Sequence, residues 1–169
     1  MADEEGKAVA KGEIGELHVA GPTSAAFYWN NREKSRGTFL GAWTKSGDKY
    51  MESEDGYFSY CGRADDMLKV SGMWVSPFEV EAALASHEAV LEAAVVGLAD
   101  ENNLIKPKAF VVLRPTVAQT ADLGAVLQQH VKTRLAPYKY PRWIEFVPEL
   151  PKTATGKIQR FKLRGVGGI

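Results

Sequence analysis

The sequence predicts an α+β protein in two parts, a β-rich segment of residues 1–63 and a small α+β sandwich of residues 64–169. Three observations support this division. The first sixty residues combine glycine and aromatic residues with short runs of alternating polarity, which are typical of strands and hairpins. From Ala64 onward the apolar pattern lengthens into two segments of helical period. Short β-branched or aromatic runs alternate with these segments and predict strands.

The first part contains two predicted strands and one predicted helix. Residues 15–21 (GELHVAG) and 56–62 (GYFSYCG) alternate in polarity between glycine residues, which predicts a strand in each. A polar helix is predicted to begin near Asn30. The rest of this part has the composition of hairpins.

The second part opens with a defined helix start. Ser76 suits the cap position, Pro77 suits the first helical position, and Glu79 completes a reciprocal capping box. Apolar residues then follow at helical spacing as far as His87. We therefore predict a helix from Ser76 onward, and we assign Glu79 and Glu81 to structure.

A second helix is predicted over residues 121–135 and ends at Ala136-Pro137. Its apolar stripe consists of Leu123, Val126, Leu127 and Val131. Strands are predicted at residues 93–97, 109–113 and 143–147. From Met67 the predicted order is strand, helix, strand, strand, helix, strand, a sandwich of split βαβ type.

Composition and charge exclude several classes of function. The 21 basic and 21 acidic side chains cancel, so no overall field attracts nucleic acid or an anionic membrane. The single cysteine excludes an internal disulfide and fits a reducing compartment. No apolar run approaches the ~18 residues of a membrane span, and no secretory signal opens the chain. Its three histidines are too scattered for a metal site. We expect a cytoplasmic chain that itself binds no nucleic acid, membrane or metal.

The first segment with chemical potential is Ser46-Gly47-Asp48. A turn of this composition can present a carboxylate to vicinal hydroxyls, because two acceptor oxygens match two adjacent donors. An ordinary hairpin turn explains the same three residues, so both interpretations stay open on this segment alone.

The second segment lies at the boundary between the two parts. Arg63, Asp65, Asp66 and Lys69 place four charges within seven residues, and Gly72 follows before the capped helix. A solvated linker followed by a capped helix accounts for residues 76–81. This alternative does not explain why two cations lie so close to two aspartates and two glycines.

The third segment, residues 151–160 (PKTATGKIQR), places Lys157 after a glycine among small hydroxyl residues with no acid nearby. Such a loop can deliver an ammonium group to a phosphate or a carboxylate. It is not a Walker motif, because the spacing between two glycines and the following Ser or Thr are missing. A basic C-terminal tail is the alternative.

Taken together, these segments resemble the C-terminal third of the acyl-adenylate-forming superfamily, which includes acyl-CoA synthetases, luciferases and peptide-synthetase adenylation domains. The resemblance runs from Gly12 to Arg164. Residues 61–72 (CGRADDMLKVSG) and 135–143 (LAPYKYPRW) look most like the benzoate-CoA ligase branch.

The resemblance implies a role for each matched residue. Asp48 matches the aspartate that binds the ribose hydroxyls of ATP or AMP, and Arg63 matches an arginine near the same sugar. Lys157 matches the lysine that bridges the carboxylate substrate and the α-phosphate. Asp65 matches the hinge about which a mobile lid domain rotates between two half-reactions.

For the second half-reaction, the resemblance assigns the segment from Lys69 through Ser71 and Gly72 to the approach of the coenzyme A thiol. A side chain at residue 72 would crowd a pantetheine arm. Trp74 is a candidate contact for the nucleotide end of coenzyme A, with burial inside the small domain as the alternative.

The chain also departs from the family pattern. It has no Ser/Thr/Gly-rich phosphate loop, aromatic-acid pocket or magnesium-binding glutamate, which in the family lie upstream. We therefore expect a fragment, with residues 1–63 as the last strands of a large N-terminal domain and residues 64–169 as the lid. The expected ligands are an aromatic carboxylic acid, ATP and coenzyme A, with Mg²⁺ held by the missing domain. That domain is one expected partner, and a homodimer is another possibility.

Two other functions are compatible with parts of the sequence. The acyl group of the adenylate could pass to a carrier-protein thiol instead of coenzyme A. Residues 151–169 could instead form a basic nucleic-acid patch, because five cations can contact phosphates. Base-stacking aromatic residues are sparse in that stretch, with only Phe161, so the ligase interpretation is preferred.

Overall fold

The computed structural model describes residues 1–165, which form two compact units. Unit 1 is Met1–Asp65, and unit 2 begins at Asp66. The sequence boundary was placed between residues 63 and 64, so the observed division falls two residues later. The structure confirms the predicted α+β class, with strands dominating unit 1 and both element types present in unit 2.

Unit 1 is an antiparallel sheet around one long strand. That strand, β3, pairs with β1 along one edge and with β2 and then β4 along the other. The predicted strands at 15–21 and 56–62 are confirmed as β1 and β4. The helix predicted near Asn30 is α1, whose cap residue Asn31 accepts a hydrogen bond from the Lys34 amide at 3.2 Å. The elements are β1 (Ile14–Val19), α1 (Arg32–Thr38), β2 (Phe39–Leu40), β3 (Trp43–Glu52) and β4 (Phe58–Arg63).

Unit 1 has almost no apolar interior. Within residues 1–65, all of which the structure describes, Ala2 is the one buried apolar residue. Large apolar side chains lie on the surface instead: Trp29 is 88% exposed and Tyr57 is 76% exposed. The full set of exposed large apolar residues is Val19, Phe27, Tyr28, Trp29, Leu40, Trp43, Tyr57, Phe58 and Tyr60.

Unit 2 contains a three-stranded sheet and a separate hairpin. Strands β7 and β8 pair antiparallel, and β9 pairs parallel with β8. The order predicted from Met67 is wrong at its start, because two strands precede the first helix and, within residues 1–165, pair only with each other. The elements are β5 (Leu68–Val70), β6 (Met73–Val75), α2 (Pro77–Ala85), β7 (Val90–Ala99), β8 (Ile105–Leu113), α3 (Leu123–Lys132), β9 (Trp143–Phe146) and α4 (Arg160–Gly165).

Both predicted helices of unit 2 form, with corrections. The Ser76 hydroxyl accepts a hydrogen bond from the Glu79 amide at 3.3 Å, which confirms the cap. The Glu79 carboxylate binds the ammonium of Lys139 at 2.6 and 2.8 Å. The helix predicted over 121–135 is shorter, and Val126 is 43% exposed. The buried stripe of α3 is therefore Leu123, Leu127 and Val131.

The three-stranded sheet is buried on both faces. Because side chains alternate along a strand, Ala93, Val95 and Val111 pack with α2 and α3 in one core cluster. The residues between them belong to a second cluster, where Phe110 packs with Leu163 of α4. Two-sided burial explains the nearly continuous apolar runs of β7 and β8.

Candidate functional site

Asp48 lies on a bulge in the middle of β3. The pairing with β1 shifts from Lys49 at Glu16 to Lys45 at His18, so Leu17 alone lies opposite residues 46–48 and β3 has two extra residues there. Gly47 has a φ of 75°, a backbone conformation that favours glycine. The interpretation of Ser46-Gly47-Asp48 as a hairpin turn is therefore wrong. The three residues form an interruption within a strand that is paired on both sides.

The bulge brings Asp48 against Arg63 on the neighbouring strand. Nη1 of Arg63 lies 3.2 Å from Oδ1 of Asp48, and its Nε lies 3.4 Å from the carboxylate of Asp65. Burial opposes the charged form of Arg63, but the Asp65 and Asp48 carboxylates raise its pKa above the ordinary value. The side chains stay accessible, with Asp48 30% and Arg63 49% exposed. Three predicted site residues thus meet within unit 1.

Gly47 has a packing role that sequence reasoning missed. A Cβ at this position would lie 3.0 Å from Nη2 of Arg63. The glycine therefore provides both the positive φ and the space in which the guanidinium lies beside Asp48. The one sequence signal for this role is the position of the glycine between Ser46 and Asp48. The composition of these three residues predicts a turn instead.

The predicted coenzyme A segment forms the hairpin of β5 and β6 in unit 2. Lys69 pairs with Trp74 across the two strands, and its Nζ lies 5.3 Å from the indole ring. The turn residues Ser71 and Gly72 have φ values of 51° and 85°, the pattern of a type I′ turn. A Cβ at Gly72 would meet open space within this structure. The backbone conformation is therefore sufficient reason for a glycine here, without any ligand.

Lys157 lies on a compact loop, residues 151–159, which we call the lysine loop. Backbone hydrogen bonds close it: the Thr153 amide donates to the Lys157 carbonyl at 2.8 Å, and the Gln159 amide donates to the Pro151 carbonyl at 2.8 Å. Gly156 has a φ of 81° and allows the tight turn. Lys157 is exposed, and it makes no ion pair with any of residues 1–165.

An ionic cluster with two buried members, Glu81 and Arg160, lies directly after the lysine loop. We call Asp66, Glu81, Arg160 and Arg164 the Arg160 clamp. Arg160 is 9% exposed, and its Nη2 donates to both carboxylate oxygens of Glu81 at 2.8 Å. The structural assignment of Glu81 fits this contact. Arg160 itself was counted only among the basic residues of the C-terminal stretch, because nothing local marks it as buried.

The two units carry different kinds of ligand-binding groups. In unit 1, a half-exposed carboxylate lies beside a guanidinium, a combination that can bind vicinal hydroxyls and an adjacent anion. In unit 2, one loop presents an ammonium group and one hairpin presents a cation stacked on an aromatic ring. Among residues 1–165 there is no group of three His, Cys, Asp or Glu side chains placed to hold a metal ion. None of the helices in that range is long and apolar enough to cross a membrane.

Comparison with known proteins agrees with the sequence resemblance. The model of the AMP-binding enzyme C-terminal domain matches residues 79–157. The benzoate–CoA ligase of Thauera aromatica is 63% identical over 97% of this chain and 31% of its own length.

Two solved structures are also similar. The anthranilate CoA ligase AuaEII in complex with anthranoyl-AMP has a TM-score of 0.90 and 55% identity, covering 98% of this chain and 32% of that one. A benzoate CoA ligase from Burkholderia xenovorans LB400 has a TM-score of 0.86 and 59% identity, and the match covers 96% of this chain and 32% of that one. The chain thus spans about a third of the length of the relatives it matches.

Proposed function

We propose that this chain, whose residues 79–157 match the AMP-binding enzyme C-terminal domain, acts as the C-terminal part of an ATP-dependent carboxylate–CoA ligase. The proposed acid is aromatic, since the relative with 63% identity is a benzoate–CoA ligase and a structural relative is an anthranilate CoA ligase. In the first half-reaction the carboxylate attacks the α-phosphate of ATP and pyrophosphate leaves. In the second, the coenzyme A thiol attacks the acyl carbon and AMP leaves.

The observation that carries this proposal is the exposed ammonium of Lys157 on its closed loop. Adenylation brings a carboxylate and a phosphate together, and both are anions. A cation placed between them lowers their repulsion and stabilises the charge that develops at phosphorus. We assign this role to Lys157, as a catalytic residue.

Asp48 and Arg63 are proposed to hold the nucleotide. The Asp48 carboxylate accepts hydrogen bonds from the two ribose hydroxyls, and Arg63, 3.2 Å away, orients that carboxylate. Arg63 is charged at neutral pH like any arginine, and the Asp65 and Asp48 carboxylates raise its pKa further against the effect of burial. We assign the Mg²⁺ that accompanies ATP to residues outside this chain, since residues 1–165 contain no suitable cluster of ligands.

The second half-reaction is assigned to the hairpin of β5 and β6. We propose that rotation about Asp65 withdraws Lys157 and brings Lys69, Ser71 and Gly72 to the path of the thiol. Ser71 and Gly72 are exposed at the tip of the hairpin, so a pantetheine arm can pass close to the backbone. Trp74 is proposed to contact the nucleotide end of coenzyme A, with Lys69 stacked on its ring.

The test is a chimera in which this chain replaces the matching segment of the Thauera aromatica enzyme, which is 63% identical. Pyrophosphate release from benzoate and ATP reports adenylation. Thioester formation from supplied benzoyl-adenylate and coenzyme A reports transfer. We expect Lys157→Ala to lower the first rate by about 100-fold or more and to leave the second near that of the parent chimera, because only adenylation needs the bridging cation.

Lys162→Ala is the matched control, because Lys162 is an exposed lysine five residues away on α4. It should leave both rates unchanged. An equal loss of both rates in Lys157→Ala would show that the lysine supports structure, and unchanged rates would remove it from the site. The 169-residue chain alone should release no pyrophosphate, because Asp48, Arg63 and Lys157 do not by themselves position two anions for reaction.

A further inference from the structure

The Arg160 clamp joins four distant points of unit 2. Arg160 begins α4 and binds Glu81 of α2 at 2.8 Å, and Glu81 also accepts a hydrogen bond from the Val95 amide of β7 at 2.8 Å. On its other side, Nη1 of Arg160 lies 3.6 Å from Asp66. Nη2 of Arg164 donates to the same Asp66 carboxylate at 2.6 Å. One cluster therefore connects α4, α2, β7 and the first residue of the unit.

Stability alone is a poor explanation for this cluster. Glu81 and Arg160 are each 9% exposed, and the desolvation of two such charges offsets much of their attraction. The Nε of Arg160 is buried without a hydrogen-bond partner among residues 1–165. What the cluster does supply is defined geometry, because Nη2 of Arg160 contacts both carboxylate oxygens of Glu81 while its Nη1 faces Asp66.

The lysine loop is held at both of its ends. At the start, Lys152 binds Glu92 of β7 at 2.6 Å. At the end, Gln159 precedes Arg160, which is fixed to Glu81. Lys157 lies three residues before Arg160, and the next carboxylate of the clamp, Asp66, directly follows Asp65. The clamp thus connects the end of the loop to the residue after the proposed hinge.

We propose that the Arg160 clamp positions Lys157 for adenylation by making the lysine loop and Asp66 one rigid body. Arg160, Glu81 and Asp66 are positioning residues, and Lys157 is the residue that contacts the substrate. This inference rests on the proposed function. If the unit rotates about Asp65, the clamp makes Lys157 move together with Asp66, so the distance between them does not change. This matters because a shift of about 1 Å at a reacting group can lower a rate by about 100-fold.

The first test measures amide hydrogen exchange of the 169-residue chain and needs no activity. Asp66→Asn removes the charge that both arginines contact. The double variant Glu81→Gln with Arg160→Met removes the buried charges and keeps an acceptor for the Val95 amide. In both, we expect exchange in the lysine loop to accelerate about tenfold, because local opening becomes easier. Lys139→Met breaks an ion pair of the same unit outside the clamp and is the control.

The second test uses the chimera and its two half-reactions. Both clamp variants should lower the kcat of pyrophosphate release by about tenfold or more, with the KM for ATP and the rate of thioester formation unchanged. Asp66→Glu should retain the parent rates, since it keeps the charge. A loss shared by both half-reactions, or equal rates in the clamp variants and Lys139→Met, would overturn the positioning role.

The two tests separate this inference from the proposed function. Faster exchange in the lysine loop with unchanged adenylation would overturn the clamp inference, whatever Lys157→Ala shows. If Lys157→Ala fails to separate the half-reactions, the proposed function is wrong. The exchange data then still decide whether the clamp holds the loop, and unchanged exchange would overturn that as well.

Discussion

The two units place their functional side chains on different kinds of support. In unit 2, apolar residues on both faces of one sheet are buried. The ion pair of Lys152 with Glu92 ties the lysine loop to that sheet, and Arg160, which follows the loop, binds Glu81 of α2. In unit 1, nine large apolar residues are exposed, and Asp48 is placed by a strand bulge and one guanidinium. The first support is a packed core, and the second is backbone geometry with an ion pair.

This difference indicates how each unit is stabilised. Unit 2 packs its buried apolar residues into two core clusters, one on each face of its three-stranded sheet. Exposed Trp29 and Tyr57 on unit 1 form the kind of apolar surface that other protein surfaces cover. We propose that the remainder of the ligase covers it. The same part of the ligase would then complete the nucleotide contacts of Asp48 and Arg63 in unit 1. The contacts that hold the loop of Lys157, in contrast, lie within unit 2 itself.

The largest expected effect tests the difference in cores with one substitution made in each unit. Leu84 of α2 is fully buried, and Leu40 of β2 is 44% exposed. Leu84→Ala should lower the free energy of unfolding by about 2–5 kcal/mol, because it leaves a cavity in a packed core. Leu40→Ala should cost about 0.5 kcal/mol or less, as is usual for surface substitutions. Urea unfolding of the 169-residue chain, followed by far-UV circular dichroism, measures both.

Equal costs for the two leucine substitutions would contradict the comparison, since they would mean that unit 1 has a core of its own. A second, more exposed test residue is Trp29. Its replacement by alanine should also change the free energy of unfolding by about 0.5 kcal/mol or less, and a larger loss would have the same meaning.

Most of the secondary structure could be predicted because its signals are local. Ser76 and Pro77 mark a helix start whatever lies around them, and the structure confirms it. The β-branched runs at 93–97 and 109–113 also formed strands, but β7 and β8 are longer than predicted. Pairing with a neighbour extends a strand into residues whose own composition is neutral, as at Pro107, which pairs with Gly97.

The missed features depend on contacts between distant residues. Ser46-Gly47-Asp48 has the composition of a turn, and only pairing with strands on both edges makes it a bulge. The hairpin of β5 and β6 lacks the Asn-Gly or Asp-Gly signal, because a serine occupies its first left-handed position. The contact between Arg160 and Glu81 spans 79 residues. No local period reveals it.

Among the candidate site residues, proximity was partly predictable. Arg63 and Asp65 are two residues apart in sequence, so their contact follows from spacing, whereas only the family resemblance links Asp48 to Arg63. The roles of Asp48, Arg63, Lys69 and Lys157 stay predictions until the half-reactions are measured.

A second effect concerns the joint between the units. If the lid rotates about Asp65, proline at this position should resist rotation, because its ring fixes φ near −65°. In the chimera, Asp65→Pro should leave pyrophosphate release within about threefold of the parent. Thioester formation should fall by about 100-fold, which corresponds to about 2.7 kcal/mol in the barrier. Rapid-quench measurement of both half-reactions provides the comparison.

Asp65→Ala is the matched control for this substitution. It removes the carboxylate that lies 3.4 Å from Arg63 but leaves φ free. We expect it to retain most of the transfer rate, so that the effect of proline is assigned to the backbone. Normal overall turnover in Asp65→Pro would remove the hinge assignment. An equal loss in both Asp65 variants would assign the effect to the lost charge.

The smallest expected effect tests the same comparison through pH, because unit 2 has a partly buried histidine where α2 and α3 meet. His130 of α3 contacts the Ser86 hydroxyl at 2.9 Å and Arg134 at 3.1 Å, and its ring packs against that of His87. Burial, the Arg134 guanidinium and His87 lower its pKa below the usual 6.5. The unfolded chain therefore binds more protons here than the folded chain, so stability should fall as pH drops through about 6.5 toward the lowered pKa. One proton limits this contribution to about 1.4 kcal/mol per pH unit.

Urea unfolding at pH 7.5, 6.5 and 5.5 should show a smaller loss of unfolding free energy in His130→Gln than in the parent chain, with Arg134→Gln in between. An identical pH dependence in all three proteins would show that this histidine contact has no part in the stability of unit 2.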